Sequence, residues 1–396
     1  MLLDYPLQYS GLDHPLFEQS AEGPRNPYRD WYVWQPRPPA GWRIDGRVPW
    51  VETDDGAYRA WQGESLPDFN LAQPAVQAWH QDNLRFWLNR GVDGFRFDAV
   101  DRLVQNGARA WQDQSGNAAV LDGLRRVISA YPNRIMVCAA PERIAAAAPG
   151  RCDLSLAAGL EAPILAAAAG DARVVRELAG ALGALPPGVA LHTMHAQAGP
   201  SSRLWDRYGG DGPELRLAVA SAMLLAGSPW LYYGEEIGMA GAAGLTDETQ
   251  PRVPMSWSAN PRSLGSSPAA PAWPLAANVQ QQNVAVQQRG GDTLRSFHKQ
   301  LIALRHAAPA LQRGSTELLQ QSGTLLGVQR VQGGQRELLL FNYGRQDGVL
   351  GLDGLPPGAR LQRRWPRGAA ALQVDSVGHL DVRLPAQSFV VLALQP

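Results

Sequence analysis

The chain has 396 residues, 45% of them hydrophobic, and its 36 basic residues balance 36 acidic ones, giving a formal net charge of zero. That length and apolar content allow a large buried core and more than one domain. No basic stripe invites nucleic acid, and no apolar run is long enough to span a bilayer, so neither partner is expected. The two cysteines, Cys138 and Cys152, lack metal-site spacing and read as reduced core thiols; with no signal peptide at the start, they point to a cytoplasmic setting.

In chain order, the first stretch with a strong local bias runs from about residue 10 to 75. It carries Trp31, Tyr32, Trp34, Trp42, Trp50 and Trp61. Such rings stack on sugar faces, but they also build the cores of small irregular domains, and the core is expected for most of them. Arg85-Phe86-Trp87-Leu88 has the spacing of an apolar helix face, Gly91 is a natural helix stop, and Gly94-Phe95-Arg96-Phe97 reads as a short buried strand ending in Asp98. Strand side chains alternate, so Arg96 and Asp98 point to one side, and in a β/α barrel the C-terminal end of a strand is where active sites sit. Arg96 could hold Asp98 ionised and oriented. An isolated Arg-x-Asp is otherwise an ordinary ion pair at a strand end. Ile135-Met136-Val137-Cys138 reads as a further buried strand, and Ala145–Ala148 and Ala166–Ala169 as short helix-forming patches.

Residues 258–291, rich in Pro, Ala, Ser and Gln, have the composition of a linker. Leu294 to Arg305 is helical by pattern. From about residue 314 the runs Thr324–Val328, Leu338–Phe341 and Ser388–Leu394 read as strands between Gly/Pro turns.

Taken as a whole string, Gly94-Phe95-Arg96-Phe97-Asp98-Ala99-Val100 resembles the nucleophile segment of the α-amylase family of retaining α-glycoside enzymes, glycoside hydrolase family 13. Other stretches agree in the family's order: Leu66-Pro67-Asp68-Phe69-Asn70 before the nucleophile helix, Gly227 to Gly238 at the last barrel strand and its loop, and Arg252-Val253-Pro254-Met255 after it. Asn26 to Trp34 resembles the domain inserted after barrel strand three in the oligosaccharide-cleaving branch, which includes α-glucosidases and trehalose synthases. The resemblance implies a (β/α)8-type TIM barrel with an inserted subdomain and a C-terminal antiparallel β-sandwich. It also implies order for residues 258–291 and a ligand that is an α-glucosidic oligosaccharide or disaccharide; no cofactor is expected, and no Asp-rich ligand loop stands out to mark a metal site.

The same resemblance exposes departures. Retaining α-glycosidases need two carboxylates about 5 Å apart, one attacking the anomeric carbon and one protonating the leaving oxygen. Asp98 takes the nucleophile position, but the acid position aligns with Ala139. Glu142, three residues on, is the candidate relocated acid. The transition-state stabiliser position aligns with Ala196, leaving His195 of the usual triplet as a candidate sugar contact beside a packing role; Arg203 matches a downstream arginine, and a solvated arginine explains it equally. Asp4 is retained from the motif that ends barrel strand three, while Gln8 and Tyr9 replace the pair that braces the site and contacts sugar.

That motif normally follows two strand–helix units, yet here it begins at Asp4. The expectation is a barrel lacking its first two β/α units, whose edges a second copy or a partner chain would cover, unless the coding start lies upstream. The expected domains are the incomplete barrel, 1–313, and the β-sandwich, 314–396.

Three functions compete. The first is a catalytically silent family member that binds an α-glucoside or scaffolds a partner. The second is a working retaining α-glucosidase or transglucosidase using Asp98 and Glu142, and the third a structural subunit like the amylase-like heavy chains of amino-acid transporters. The first is expected, because Ala139 and Ala196 argue against the second and the missing membrane helix against the third.

Overall fold

A computed structural model describes residues 1–139, 150–156, 158–183, 185, 189–192, 203–245, 249–368 and 370–394. Its contacts divide the chain into two units, Met1–Leu156 and Ala157–Pro396.

The first unit runs β1 (Leu2–Tyr5), α1 (Pro15–Ala21), β2 (Trp34–Gln35), β3 (Trp50–Thr53), β4 (Gly56–Arg59), α2 (Pro74–Leu88), β5 (Gly94–Phe97), α3 (Ser115–Ser129), β6 (Ile135–Ala139) and β7 (Leu154–Leu156). Strands β1, β5, β6 and β7 lie side by side in that order and all parallel. Helices α2 and α3 make the crossovers, so β5 and β6 are near-continuous apolar runs. The register requires glycine at 94: its φ is +156°, and a Cβ there would run into the Ile135 carbonyl of β6. Proline opens α2 at its first turn, and Val76, His80, Leu84 and Leu88 recur every fourth position on its buried face.

The inserted segment forms a small antiparallel sheet, β2-β4-β3. Its aromatic residues do build a core. Tyr32, Trp42 and Trp50 are buried, Trp42 meets Trp50 edge-on at 5.3 Å, and the Trp34 ring stacks on Phe17 at 5.9 Å. Trp31 and Trp61 are half-buried.

One expectation fails. Cys138 and Cys152 are not free thiols but a disulfide. Cys138 belongs to β6 and Cys152 lies two residues before β7, the neighbouring parallel strand, so the sheet brings their Cα atoms to 6.0 Å, within bonding range. The cytoplasmic expectation loses the reduced thiols it rested on.

The second unit opens with α4 (Ala158–Ala168), α5 (Ala172–Gly183), β8 (Val189–His192), α6 (Leu204–Tyr208), α7 (Pro213–Leu224) and β9 (Ser228–Trp230), with β8 and β9 paired in parallel. Then come α8 (Val284–Gln287), α9 (Leu294–Ala307) and α10 (Pro309–Arg313). Helix α9 starts at a capping box in which Thr293 and Ser296 satisfy each other's backbone N–H groups. The linker-like stretch before it is tied down: Asn278 accepts from the Ala240 N–H and donates to the Gly238 carbonyl, while Leu264, Ala276 and Val279 are buried against Ile237 and Met239.

The chain ends in β10 (Ser315–Ser322), β11 (Leu325–Gln332), β12 (Gln335–Asn342), β13 (Gly348–Leu352), β14 (Arg360–Trp365), β15 (Leu372–Gln373), β16 (Leu380–Leu384) and β17 (Ser388–Leu394). Six form an antiparallel sheet, β10-β11-β12-β17-β14-β15, and β13 pairs with β16. Leu338, Leu340, Val390 and Leu392 of the large sheet share one core with Leu350, Leu352, Leu380 and Val382 of the small one. The fold is α/β, with parallel strands and crossover helices followed by an antiparallel β domain. Among the described residues no helix is long and apolar enough to cross a membrane.

Candidate active site

Strands β1, β5 and β6 end at Tyr5, Phe97 and Ala139, and because they are parallel these ends share one edge of the sheet. Asp4 stands opposite Arg96 in the β1–β5 register. The Arg96 guanidinium bridges two carboxylates, donating from Nη1 to Asp4 Oδ1 at 2.9 Å and from Nη2 to Asp98 Oδ1 at 3.2 Å. Arg96 is 15% exposed, whereas the Asp98 side chain is 47% exposed. The strand geometry thus presents a solvent-accessible carboxylate whose orientation is held from below.

Gln8, which replaces a residue of the family's bracing pair, braces the backbone beside Asp98. It is buried and does not face a ligand; its Nε2 donates to the backbone carbonyls of Asp98 at 2.9 Å and Ala99 at 2.8 Å. Ala99 takes a left-handed conformation, φ +44°, and Gln8 is what secures that turn directly after the carboxylate. Tyr9 is half-buried. Burial, then the negative charges of Asp98 and Asp4, push its phenol upward, so it stays a neutral hydroxyl beside the two carboxylates.

Behind this edge lies a pair that motif reading passed over. Asp68 and Arg59 are 1% and 4% exposed, and Arg59 Nε donates to Asp68 Oδ2 at 2.7 Å. The backbone around them carries Gln8 and Tyr9: Tyr9 bridges to Asp68, and the Phe69 N–H donates to the Gln8 carbonyl at 2.7 Å. The signal was an aspartate inside Leu66–Asn70, between apolar neighbours, with an arginine nine residues upstream. Desolvation pushes the Asp68 carboxyl up to about 6 even though Arg59 pulls it down.

Ala139 ends β6. It follows Cys138, which is paired with Phe97, so it lies level with Asp98 on the adjacent strand, and it is 3% exposed. The position that aligns with the family's acid thus carries a buried methyl group. Glu142, His195 and Ala196 lie outside the described residues.

Arg203, in the second unit, is neither solvated nor open to a ligand. It is fully buried; Nε and Nη2 donate to the Pro251 carbonyl at 3.0 and 2.7 Å, and Nη1 donates to the Tyr233 carbonyl at 2.7 Å and Glu235 Oε1 at 3.4 Å. Burial pushes the Glu235 carboxyl up to about 8, against the pull of Arg203. The arginine staples the loop after β9, packed at 4.9 Å from the Tyr232 and Tyr233 rings. The site's chemistry among the described residues is therefore Asp4, Arg96, Asp98 and Tyr9: one net negative charge, rigidly held, with one hydroxyl donor.

The family model described as "Alpha amylase, catalytic domain" matches residues 1–146 and 184–314. The chain is 26% identical to the trehalose synthase/amylase TreS of Mycobacterium tuberculosis, over 86% of this chain and 66% of that protein. It is 27% identical to a "Probable alpha-glucosidase" of Rhizobium meliloti, over 98% of this chain and 79% of that one. Its fold superposes on the solved structure of the α-glucosyl transfer enzyme XgtA with a TM-score of 0.79 and 26% identity, covering all of this chain and 82% of that one. Against the trehalose synthase/amylase relatives, the chain spans about two thirds of their length or less. A match over more than half of its length makes the chain a member of the α-amylase family, glycoside hydrolase family 13.

Proposed function

We propose that this chain binds an α-glucoside at the Asp98 edge and has lost the capacity to turn it over, as a silent member of its carbohydrate-active family. The observation that carries the reading is Ala139. Protonation of the leaving oxygen by a positioned acid contributes about 10² to 10⁴ in rate. A methyl level with Asp98 supplies none of it. The members of such a site act as a unit, so once one is gone the remaining groups add little to turnover. Binding depends on other things: Asp98 and Asp4 accept from sugar hydroxyls, the Tyr9 hydroxyl donates, and Arg96 and Gln8 keep the carboxylate in place whether or not chemistry follows.

Calorimetric titration with maltose, trehalose, sucrose and maltotriose tests the binding half. At least one of them is expected to release or absorb heat, with affinity falling about tenfold in Asp98→Ala, the scale of one charge-assisted hydrogen bond. A chain that binds none of the four has no sugar site here, and a scaffolding role would remain. The competing reading, a working α-glucosidase with Glu142 as its acid, predicts turnover that depends on Asp98.

A further inference from the structure

The second unit carries a cavity of about 680 Å³, bordered by α7, α9, β14 and β17 and well away in sequence from Asp98. That volume is in the range of sites that take small ligands. Its walls are of two kinds. Trp365 and Pro366 form an apolar surface: the Trp365 ring, half-buried, lies flat on Phe389 at 5.3 Å with 6° between the planes and meets Phe297 edge-on at 5.7 Å, and both phenylalanines are buried. The indole is thus held in one orientation by the core behind it while keeping part of its surface in the cavity.

The opposite wall is polar and pre-set. Arg216 donates to both oxygens of Asp211, at 2.8 and 3.0 Å, and to Asp292 Oδ1 at 2.6 Å. Asp292 is 81% exposed, so it has acceptor capacity facing water. Gln300, on α9, makes no hydrogen bond to the described residues and presents a free amide, while Gln387 is held by donating to Glu214 at 2.8 Å.

The charge balance selects the ligand. Arg216 is cancelled by two carboxylates, leaving this wall with a net negative charge, which repels phosphates and carboxylates. What fits an aromatic face on one side and planar amide and carboxylate groups on the other is a neutral molecule with apolar C–H faces and hydroxyls around its edge. We propose that this cavity is a second carbohydrate site, for a neutral oligosaccharide, independent of the Asp98 edge.

The test is calorimetric titration of the full chain with maltoheptaose. Wild type is expected to show a class of sites that persists in Asp98→Ala, is weakened at least tenfold in Trp365→Ala, and is weakened about threefold in Gln300→Ala, a half-buried helix position where alanine keeps the helix. ATP is expected to give no heat. Maltoheptaose binding that Gln300→Ala and a folded Trp365→Ala both retain unchanged overturns the proposal, as does a single class of sites abolished by Asp98→Ala, or ATP binding lost in Trp365→Ala. Because Asp98→Ala and Trp365→Ala strike different sites, failure of this proposal and failure of the Asp98 reading give different titrations.

Discussion

Asp68→Ala is expected to destabilise the first unit by about 3–5 kcal/mol, the scale for removing one partner of a buried ion pair. The loss does not come mainly from the attraction between the two groups. With Asp68 gone, the Arg59 guanidinium, 4% exposed, keeps its charge and loses its acceptor at 2.7 Å. The double variant Arg59→Met with Asp68→Leu is expected to lie within about 1 kcal/mol of wild type, because both desolvated charges go together. Urea unfolding of the three proteins checks this; a single-variant loss under about 1 kcal/mol would show that water reaches the pair. The effect also spreads to the edge where Asp98 sits, since the Asp68–Phe69 backbone is bonded to Gln8 and Tyr9. Weakened sugar binding in Asp68→Ala would follow from that route.

Acid is expected to destabilise the same unit through His80. This side chain is 1% exposed, packed among the Tyr5, Phe69 and Trp79 rings and paired with the Tyr5 hydroxyl at 3.0 Å; its Nε2 has no partner. Desolvation, with a smaller contribution from His14, lowers its pKa to about 3, against an ordinary 6.5. The sign follows from linkage. Between those values the unfolded chain binds the proton and the folded one does not, so the stability His80 provides is complete above pH 6.5 and is lost as pH falls. At about 1.36 kcal/mol per unit, pH 5 costs about 2 kcal/mol relative to neutral pH. Asp68 works in the opposite direction, because its raised carboxyl takes up a proton in the folded state first and relieves a buried charge as pH falls through about 6. The informative quantity is therefore the difference between wild type and His80→Phe. Thermal melts from pH 7.5 to 5 are expected to fall more steeply for wild type; equal slopes would mean that His80 charges inside the fold.

How much was legible beforehand depended on whether a feature is local. The strand ending in Asp98, the helix from Leu294 and the β11, β12 and β17 segments follow from apolar runs and punctuation, and all are present. Strand β10, Ser315–Ser322, was not read because its residues alternate without a strong apolar face, and it is held by pairing with β11. The cysteines were misread for a similar reason: 14 residues of sequence separation say nothing of distance, and only the parallel pairing of β6 with β7 brings them together. At the site, Arg96 and Asp98 were placed on one side of a strand end by their spacing, while the role of that pair and the choice of Asp4 came from the family resemblance; the pairing of β1 with β5 is what brings Asp4 to Arg96. The tasks of Gln8 and Arg203 were not legible, because each is decided by a carbonyl far along the chain, at residues 98, 99, 233 and 251. A polar side chain in a sequence does not disclose whether it will face a ligand or the backbone.

The central claim is that the Asp98 edge binds without turnover, and release of p-nitrophenol from p-nitrophenyl α-glucoside, compared between wild type and Asp98→Asn, tests it most directly. The activated leaving group departs with little help from an acid, so this substrate gives the carboxylate its best chance to act alone. Equal background rates in the two proteins are the predicted result. Turnover in wild type that Asp98→Asn abolishes would contradict the account and establish Asp98 as a working nucleophile.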